Sequence, residues 1–250
     1  MLTWRNQGTS IAINFEEKKL LFNGELYPMQ VVTNQALLNM RERHTIYLTS
    51  NCCTEEKALY YCVRKLLKGV RDRQEFLYID VLAYEFALGI VGENILNRSL
   101  GHVNDQNEIE IHQVLCGKLL ELVIFEGNIY VGVFCAHDYF EIPAGAFHCT
   151  YVLENNTVVA NIFGNVYWED DYARKPYGEF RNPFCIERVG DRVCVKTENS
   201  EVCILNGGTL ETNEIGILDY AKIPKEAMKI SAQYSLNANI FTLFRKMICM

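Results

Sequence analysis

Glu108-Ile109-Glu110-Ile111-His112 alternates polar and apolar at every step, so Glu108, Glu110 and His112 share one face of a strand and both isoleucines share the other. Short apolar runs follow at 119–125, 130–134, 139–142, 149–153 and 158–163. They are separated by turn signals at Glu126-Gly127-Asn128, Pro143-Ala144-Gly145 and Glu154-Asn155-Asn156. A further pair, 184–188 and 193–196, flanks Gly190-Asp191. Many short strands with regular turns predict a mainly β sandwich or barrel.

Outward from this region the signals weaken. Thr54 can cap Glu55-Glu56-Lys57, and apolar residues recur through Leu59, Cys62, Val63, Leu66 and Leu67 up to Gly69, which predicts a helix. Residues 75–90 are apolar and aromatic without clean periodicity, so a buried strand pair and a helix both fit. The segment from Ile223 onward reads as helical or mixed. No repeat, low-complexity tract or linker rich in Pro, Gly or Ser interrupts the chain. We therefore expect one domain over 1–250, its barrel at about 75–200, with 1–74 and 206–250 packed on it.

The 250 residues suffice for a substantial core, and 49% hydrophobic with 22% charged residues is ordinary for a globular protein. A net charge of −7 disfavours nucleic acid or an anionic membrane as partner. No run reaches the ~18 apolar residues that span a bilayer, and Met1-Leu2-Thr3-Trp4-Arg5 lacks a secretory apolar region. The ten cysteines include no Cys-x-x-Cys, and the adjacent Cys52-Cys53 pair suits no usual zinc knuckle. Reduced, structural cysteines and a cytoplasmic location are expected.

Two histidines and a glutamate stand out: His102 in Gly101-His102-Val103-Asn104, then Glu110, then His148 after Pro143-Ala144-Gly145-Ala146-Phe147. Alternation puts Asn104 with His102 and His112 with Glu110, all facing the barrel interior. Inward polar groups need partners, and one divalent Fe, Mn, Ni or Zn would satisfy His102, Glu110 and His148 together, with His112 or Asn104 as a further donor. The plainer reading has His148 as a hydrogen-bonded core histidine and Glu110 paired with Lys118 or Arg98. His137 falls in a turn, His44 in a charged stretch, and Glu169-Asp170-Asp171 in a loop, so all three read as solvated.

The spacings Glu110-x6-Gly117 and Pro143-x-Gly145-x2-His148 match the paired motifs of the cupin superfamily, which this chain resembles over roughly residues 55–200. Within it, Gly92 to Asn104, Glu110 to Gly117, Ala160 to Phe163, Asp171-Tyr172 and Tyr177-Gly178 are similar to the cupin-type glucose-6-phosphate isomerases of archaea and some bacteria. The resemblance implies a double-stranded β-helix (jelly-roll barrel), a metal on His102, Glu110 and His148, a homodimer, and aldose–ketose isomerisation of a phosphorylated sugar. It also implies Glu110 as catalytic base or metal-bound proton carrier, with the phosphate gripped by Ser99 and the amides around Gly101. The apolar stretch 76–92 adds to the expectation of a dimer.

Three departures qualify these expectations. Asn104 replaces the second histidine of the His-x-His pair, the gap from Asn104 to Glu110 is one residue longer than in the pattern, and His112 stands where the isomerases have tyrosine. Two rivals stand beside the isomerase. One is a cupin that binds a small molecule or partner after losing its metal, which Asn104 supports. The other is a metal-dependent dioxygenase, since this chain also resembles the acireductone dioxygenases in its Pro143-Ala144-Gly145-x2-His148 turn. That resemblance too implies a full His-x-His, so Asn104 counts against both enzymes.

Overall fold

The computed structural model describes residues 1–39, 55–106, 108–164, 184–196, 201–205, 216–234, 236 and 239–249. In chain order the elements are β1 Leu2–Asn6, β2 Thr9–Asn14, β3 Lys19–Phe22, β4 Glu25–Pro28, β5 Gln30–Thr33, α1 Asn34–Asn39, β6 Ala58–Arg71, β7 Gln74–Tyr84 and β8 His102–Val103. There follow β9 Ile109–Cys116, β10 Lys118–Phe125, β11 Asn128–Cys135, β12 Tyr139–Ile142, β13 Phe147–Val152 and β14 Thr157–Gly164. The last are β15 Cys185–Val189, β16 Arg192–Lys196, β17 Glu201–Leu205, β18 Ile217–Asp219 and α2 Ile240–Ile248.

Strand order defines the architecture. One sheet runs β12-β9-β14-β7-β6-β5 and the other β18-β11-β10-β13-β8. Counting β7 to β14 as eight successive strands, the sheets read 6-3-8-1 and 5-4-7-2. This is a double-stranded β-helix, the jelly roll of the cupin type. The chain swaps sheets at its corners, and the motif glycines sit at two of them. Gly117 (φ +81°) carries the chain from β9 to β10, and Gly145 (φ +74°) from β12 to β13. A Cβ at Gly117 would stand 2.8 Å from the Cα of Thr157, and the left-handed conformation adds its own cost. Gly117→Ala should therefore destabilise the protein by roughly 2–5 kcal/mol, the sum of left-handed strain and local overpacking. Urea denaturation checks this; a loss under about 0.5 kcal/mol would show that the corner tolerates a side chain.

The barrel strands are buried on both faces because each sheet carries an outer layer. Odd residues of β9 (Ile109, Ile111, Leu115) and even residues of β14 (Val158, Ala160, Ile162) join a cluster with Trp4, Ile11, Leu20 and Phe22 of the four-stranded sheet β1-β2-β3-β4 and with Phe241 and Phe244 of α2. Leu120 and Leu122 of β10 and Cys149 and Tyr151 of β13 pack with Val193, Val195, Val202 and Ile204 of the sheet β15-β16-β17. The alternate residues point into the barrel, where Val114, Leu119, Val123, Phe140, Ile142 and Val159 form an apolar plug. Asn239 caps α2 by accepting from the Thr242 amide at 2.9 Å, and the Ile240 amide donates to Gln113 Oε1 of β9 at 3.0 Å. Among the described residues no helix is long and apolar enough to cross a membrane.

The helix expected at 55–69 is a strand instead. β6 buries Leu59, Tyr60, Tyr61, Cys62 and Val63 in succession, as a strand covered on both faces does. The later apolar residues mimic a helical period because the strand is interrupted: its register shifts between Val63 and Leu67, with Lys65 at φ +53°. Residues 75–90 resolve into a single strand, β7, followed by irregular backbone. β7 lies between β14 and β6, so its apolar content is explained within the chain and no longer points to a dimer. His44, Cys52, Cys53, Thr54, Glu169 to Tyr172 and Tyr177-Gly178 lie outside the described residues.

Candidate metal centre

Glu110 and His112 of β9, His148 of β13 and His102 of β8 converge inside the barrel. His102 and His148 are directly opposed across the β8–β13 ladder, their Nε2 atoms 3.1 Å apart. Glu110 Oε2 stands 3.2 Å from His148 Nε2 and 3.4 Å from His102 Nε2. Three donor atoms thus form a nearly equilateral triangle. Ligands sharing one cation at about 2.0–2.1 Å stand ~3.0 Å apart in adjacent octahedral positions and ~3.3 Å apart in tetrahedral ones. The triangle's edges fall in that range, and its chemistry, two imidazoles and one carboxylate, suits Fe, Mn, Ni or Zn. The donor set fits a divalent metal.

The surrounding residues aim each donor. Glu121 of β10, wholly buried, takes His148 Nδ1 at 2.9 Å and accepts from the Thr150 hydroxyl at 2.7 Å. With Nδ1 engaged by Glu121, His148 has Nε2 left to face the triangle, where it would serve a metal as donor on losing its proton. Glu110 Oε1 accepts from Asn161 Nδ2 at 2.9 Å and meets His112 Nε2 at 2.9 Å, so Oε2 alone faces the two ligand imidazoles. His112 is held further by stacking on Phe140, with ring centroids 4.7 Å apart. His102 has 26% of its side-chain surface exposed, against 4% for His148 and 5% for Glu110, which puts the mouth of the site at His102.

Electrostatics agree with a cation-seeking pocket. Burial disfavours charge on His148, but the carboxylates of Glu110 and Glu121 outweigh it and raise the imidazole to about 10. Burial likewise works against the Glu110 carboxylate, yet His148 and the bonds from three imidazoles hold it well below the usual range. His102 is lowered by burial and by its neighbour His148. Without a metal, one proton on His148 serves as the cation between two buried carboxylates.

His102, Glu110 and His148 are therefore brought together as expected from the sequence, and Glu110 pairs with neither Lys118 nor Arg98. His112 is close, but its Nε2 is spent on Glu110 Oε1 rather than on the triangle. Asn104 is buried with neither amide atom partnered. The base role expected of Glu110 meets an obstacle, since its partners His102, His112, His148 and Asn161 match a carboxylate's roughly four acceptor sites. Ser99 and Gly101 lie on the segment that leads into β8. The Ser99 hydroxyl accepts from the Thr150 amide at 3.1 Å, and at Gly101 a Cβ would meet the Phe147 ring at 3.0 Å. Arg98 is buried, donating to the carbonyls of Ser99 and Leu100 with its guanidinium 5.2 Å from the Tyr151 ring centre. His137 is exposed in its turn.

Glu121 and Asn161 have functional positions that the sequence reading did not pick out as such. Each left a signal: a single polar residue at an inward position of an apolar strand, as in Leu119-Leu120-Glu121-Leu122-Val123.

No family model matches the chain, and no curated protein does. Among solved structures it is similar to KdgF from Halomonas sp., with TM-score 0.32 and 15% identity, covering 45% of this chain and 82% of that one. A recombinant oxalate oxidase in complex with glycolate gives TM-score 0.33 and 17% identity over 48% of this chain, which spans 61% of that one. The cupin domain of Schizosaccharomyces pombe Cnp3 gives TM-score 0.31 and 8% identity over 44% of this chain and 66% of that one. The cupin-type jelly roll is established by the strand order of this chain itself.

Proposed function

We propose that this protein is a mononuclear metal enzyme acting on a small oxygen-donor substrate that enters past His102. The triangle of His102 Nε2, Glu110 Oε2 and His148 Nε2, with edges of 3.1–3.4 Å, carries the proposal. A divalent metal there would supply Lewis acidity and open positions for substrate oxygens. The protein's own part is to fix the three donors, exclude water behind them with the plug around Phe140, and offer buried polar groups on inward positions. Asn104, buried with its amide unpartnered, is suited to bind a substrate carbonyl or hydroxyl. His112 Nδ1 is likewise unpartnered and is the better candidate than Glu110 for receiving a proton.

Two reaction classes compete for this site. Sugar-phosphate isomerisation needs a grip on a phosphate dianion. The partners of Glu110 and Glu121 among the described residues are imidazoles, an amide and a hydroxyl, with no lysine or arginine. A divalent metal would be the one fixed cation beside them, which leaves a phosphate dianion without a lysine or arginine grip among those partners. A two-histidine, one-carboxylate face is also the ligand set of non-haem Fe(II) oxygenases, which require no phosphate grip. The geometry favours the oxygenase.

The test loads the purified protein separately with Fe(II), Mn(II), Ni(II) and Zn(II). Oxygen consumption is followed with enediol and 1,2-dicarbonyl substrates, and isomer formation with hexose and pentose phosphates. Oxygen uptake that depends on Fe(II) and on His148 supports the proposal. Isomer formation would reinstate the sugar-phosphate reading, and binding of these compounds without turnover by any metal form would identify a non-catalytic module.

A further inference from the structure

The outer sheet β15-β16-β17 has one apolar face, packed on the barrel through Ile186, Val193, Val195, Val202 and Ile204. Alternation sends Cys185, Glu187, Cys194, Lys196, Glu201 and Cys203 to the other face. Glu187, Cys194 and Cys203 occupy one rung, with Cys185, Lys196 and Glu201 on the next. That face carries three thiols, of which Cys185 and Cys194 are buried.

Cys194 and Cys203 are directly opposed across β16 and β17, their Sγ atoms 3.2 Å apart. Cys203 Sγ lies 3.7 Å from Glu201 Oε1, and donor atoms of the three residues all fall within 4.8 Å of one another. Cys194 is buried, whereas Glu201 is exposed. We infer that Cys194, Cys203 and Glu201 form a second metal site, a thiolate clip for a soft divalent cation such as Zn(II), separate from the barrel centre and independent of its function.

The spacing lies nearer to that of a metal pair than to that of a disulfide. Two thiolates on a tetrahedral zinc, at Zn–S about 2.3 Å, stand ~3.8 Å apart. The observed 3.2 Å must open by ~0.6 Å to reach that, a small side-chain rotation. A disulfide at about 2.05 Å would need closure of more than 1 Å, and an oxidant besides. Binding releases one proton from each thiol, and two thiolates with one carboxylate on a dication leave a net charge of −1. Lys196 stands beside it, its Nζ 2.8 Å from Glu187 and 3.6 Å from Glu201. It offsets the Glu187 carboxylate without occupying the clip, and the cluster as a whole keeps a net charge of −1. Water completes the coordination.

The experiment is a Co(II) titration of the full chain under reducing conditions. The readout is the near-ultraviolet thiolate-to-cobalt charge-transfer band, which the histidine–carboxylate centre cannot produce. One saturating equivalent with that band is expected. Cys203→Ser and Cys194→Ser should each abolish it, and Glu201→Gln should weaken Co(II) binding by about 10-fold or more. Cys135→Ser, removing an exposed cysteine elsewhere, should leave it intact. Cys203→Ser, at the less buried position, is the primary variant, with circular dichroism verifying that it folds. No thiolate band in the parent protein, a band unchanged in Cys203→Ser, or a Cys194–Cys203 disulfide that persists under mild reductant and blocks Co(II) would each overturn the assignment.

Discussion

His148→Ala should lower divalent-metal affinity by at least about 100-fold, with His137→Ala leaving it unchanged. Removing the imidazole takes one of three donors, and it strips Glu121 of the group that compensates its buried charge. Loss of an outer partner alone typically costs 10–100-fold, so Glu121→Gln should fall in that window and the ligand variant beyond it. His148→Ala also leaves Glu110 and Glu121 closer to uncompensated charges, which destabilises the fold. His102→Ala is therefore the companion variant, because His102 lies at the mouth with 26% of its side chain exposed and contributes less to packing. Calorimetric titration with Mn(II) measures the wild type and all four variants. Equal affinity in wild type, His148→Ala and His102→Ala would refute the ligand assignment.

Phe241→Ala should cost about 3–5 kcal/mol of stability, the usual range for truncating a buried phenylalanine. Its ring is fully buried, 5.1 Å from Phe22 and 5.9 Å from Trp4, where α2 closes the space between the N-terminal sheet and the outer face of β9 and β14. The helix has nine residues, too few to persist alone, so it depends on this face for its existence. Lys246→Ala in its last turn should change stability by no more than about 0.5–1 kcal/mol, a residual helix-dipole effect. Urea denaturation followed by tryptophan fluorescence separates the two, since Trp4 packs against Phe241. A loss below ~1 kcal/mol for Phe241→Ala would mean that α2 is dispensable to the core.

The barrel was legible because its strands are short and its corners are chemically marked. Gly117 and Gly145 require left-handed backbone, and Glu110-Ile111-His112 keeps a strict period of two. The site was legible in its three donors because each is a polar residue on an inward position. Its support was not. Nothing local says that Glu121 on β10 stands behind His148 on β13, since that contact exists only through the β10–β13 ladder. The misread helix at 55–69 has a related cause. A strand buried on both faces loses its alternation, and a shift of register then imposes a false helical period on what remains. His112 shows the limit of alternation as a guide. It faces inward as expected, yet whether it binds the triangle or braces the carboxylate depends on a ring rotation fixed by Phe140 and Glu110 Oε1.

The most direct test of the metal centre is pulsed electron paramagnetic resonance on the protein loaded with one equivalent of Mn(II), a cation that prefers nitrogen and oxygen donors to thiolates. Nitrogen-14 couplings from two imidazoles are predicted in the wild type, falling to one in His102→Ala. A spectrum of fully hydrated Mn(II), or couplings from two imidazoles that survive both His102→Ala and His148→Ala, would contradict the site.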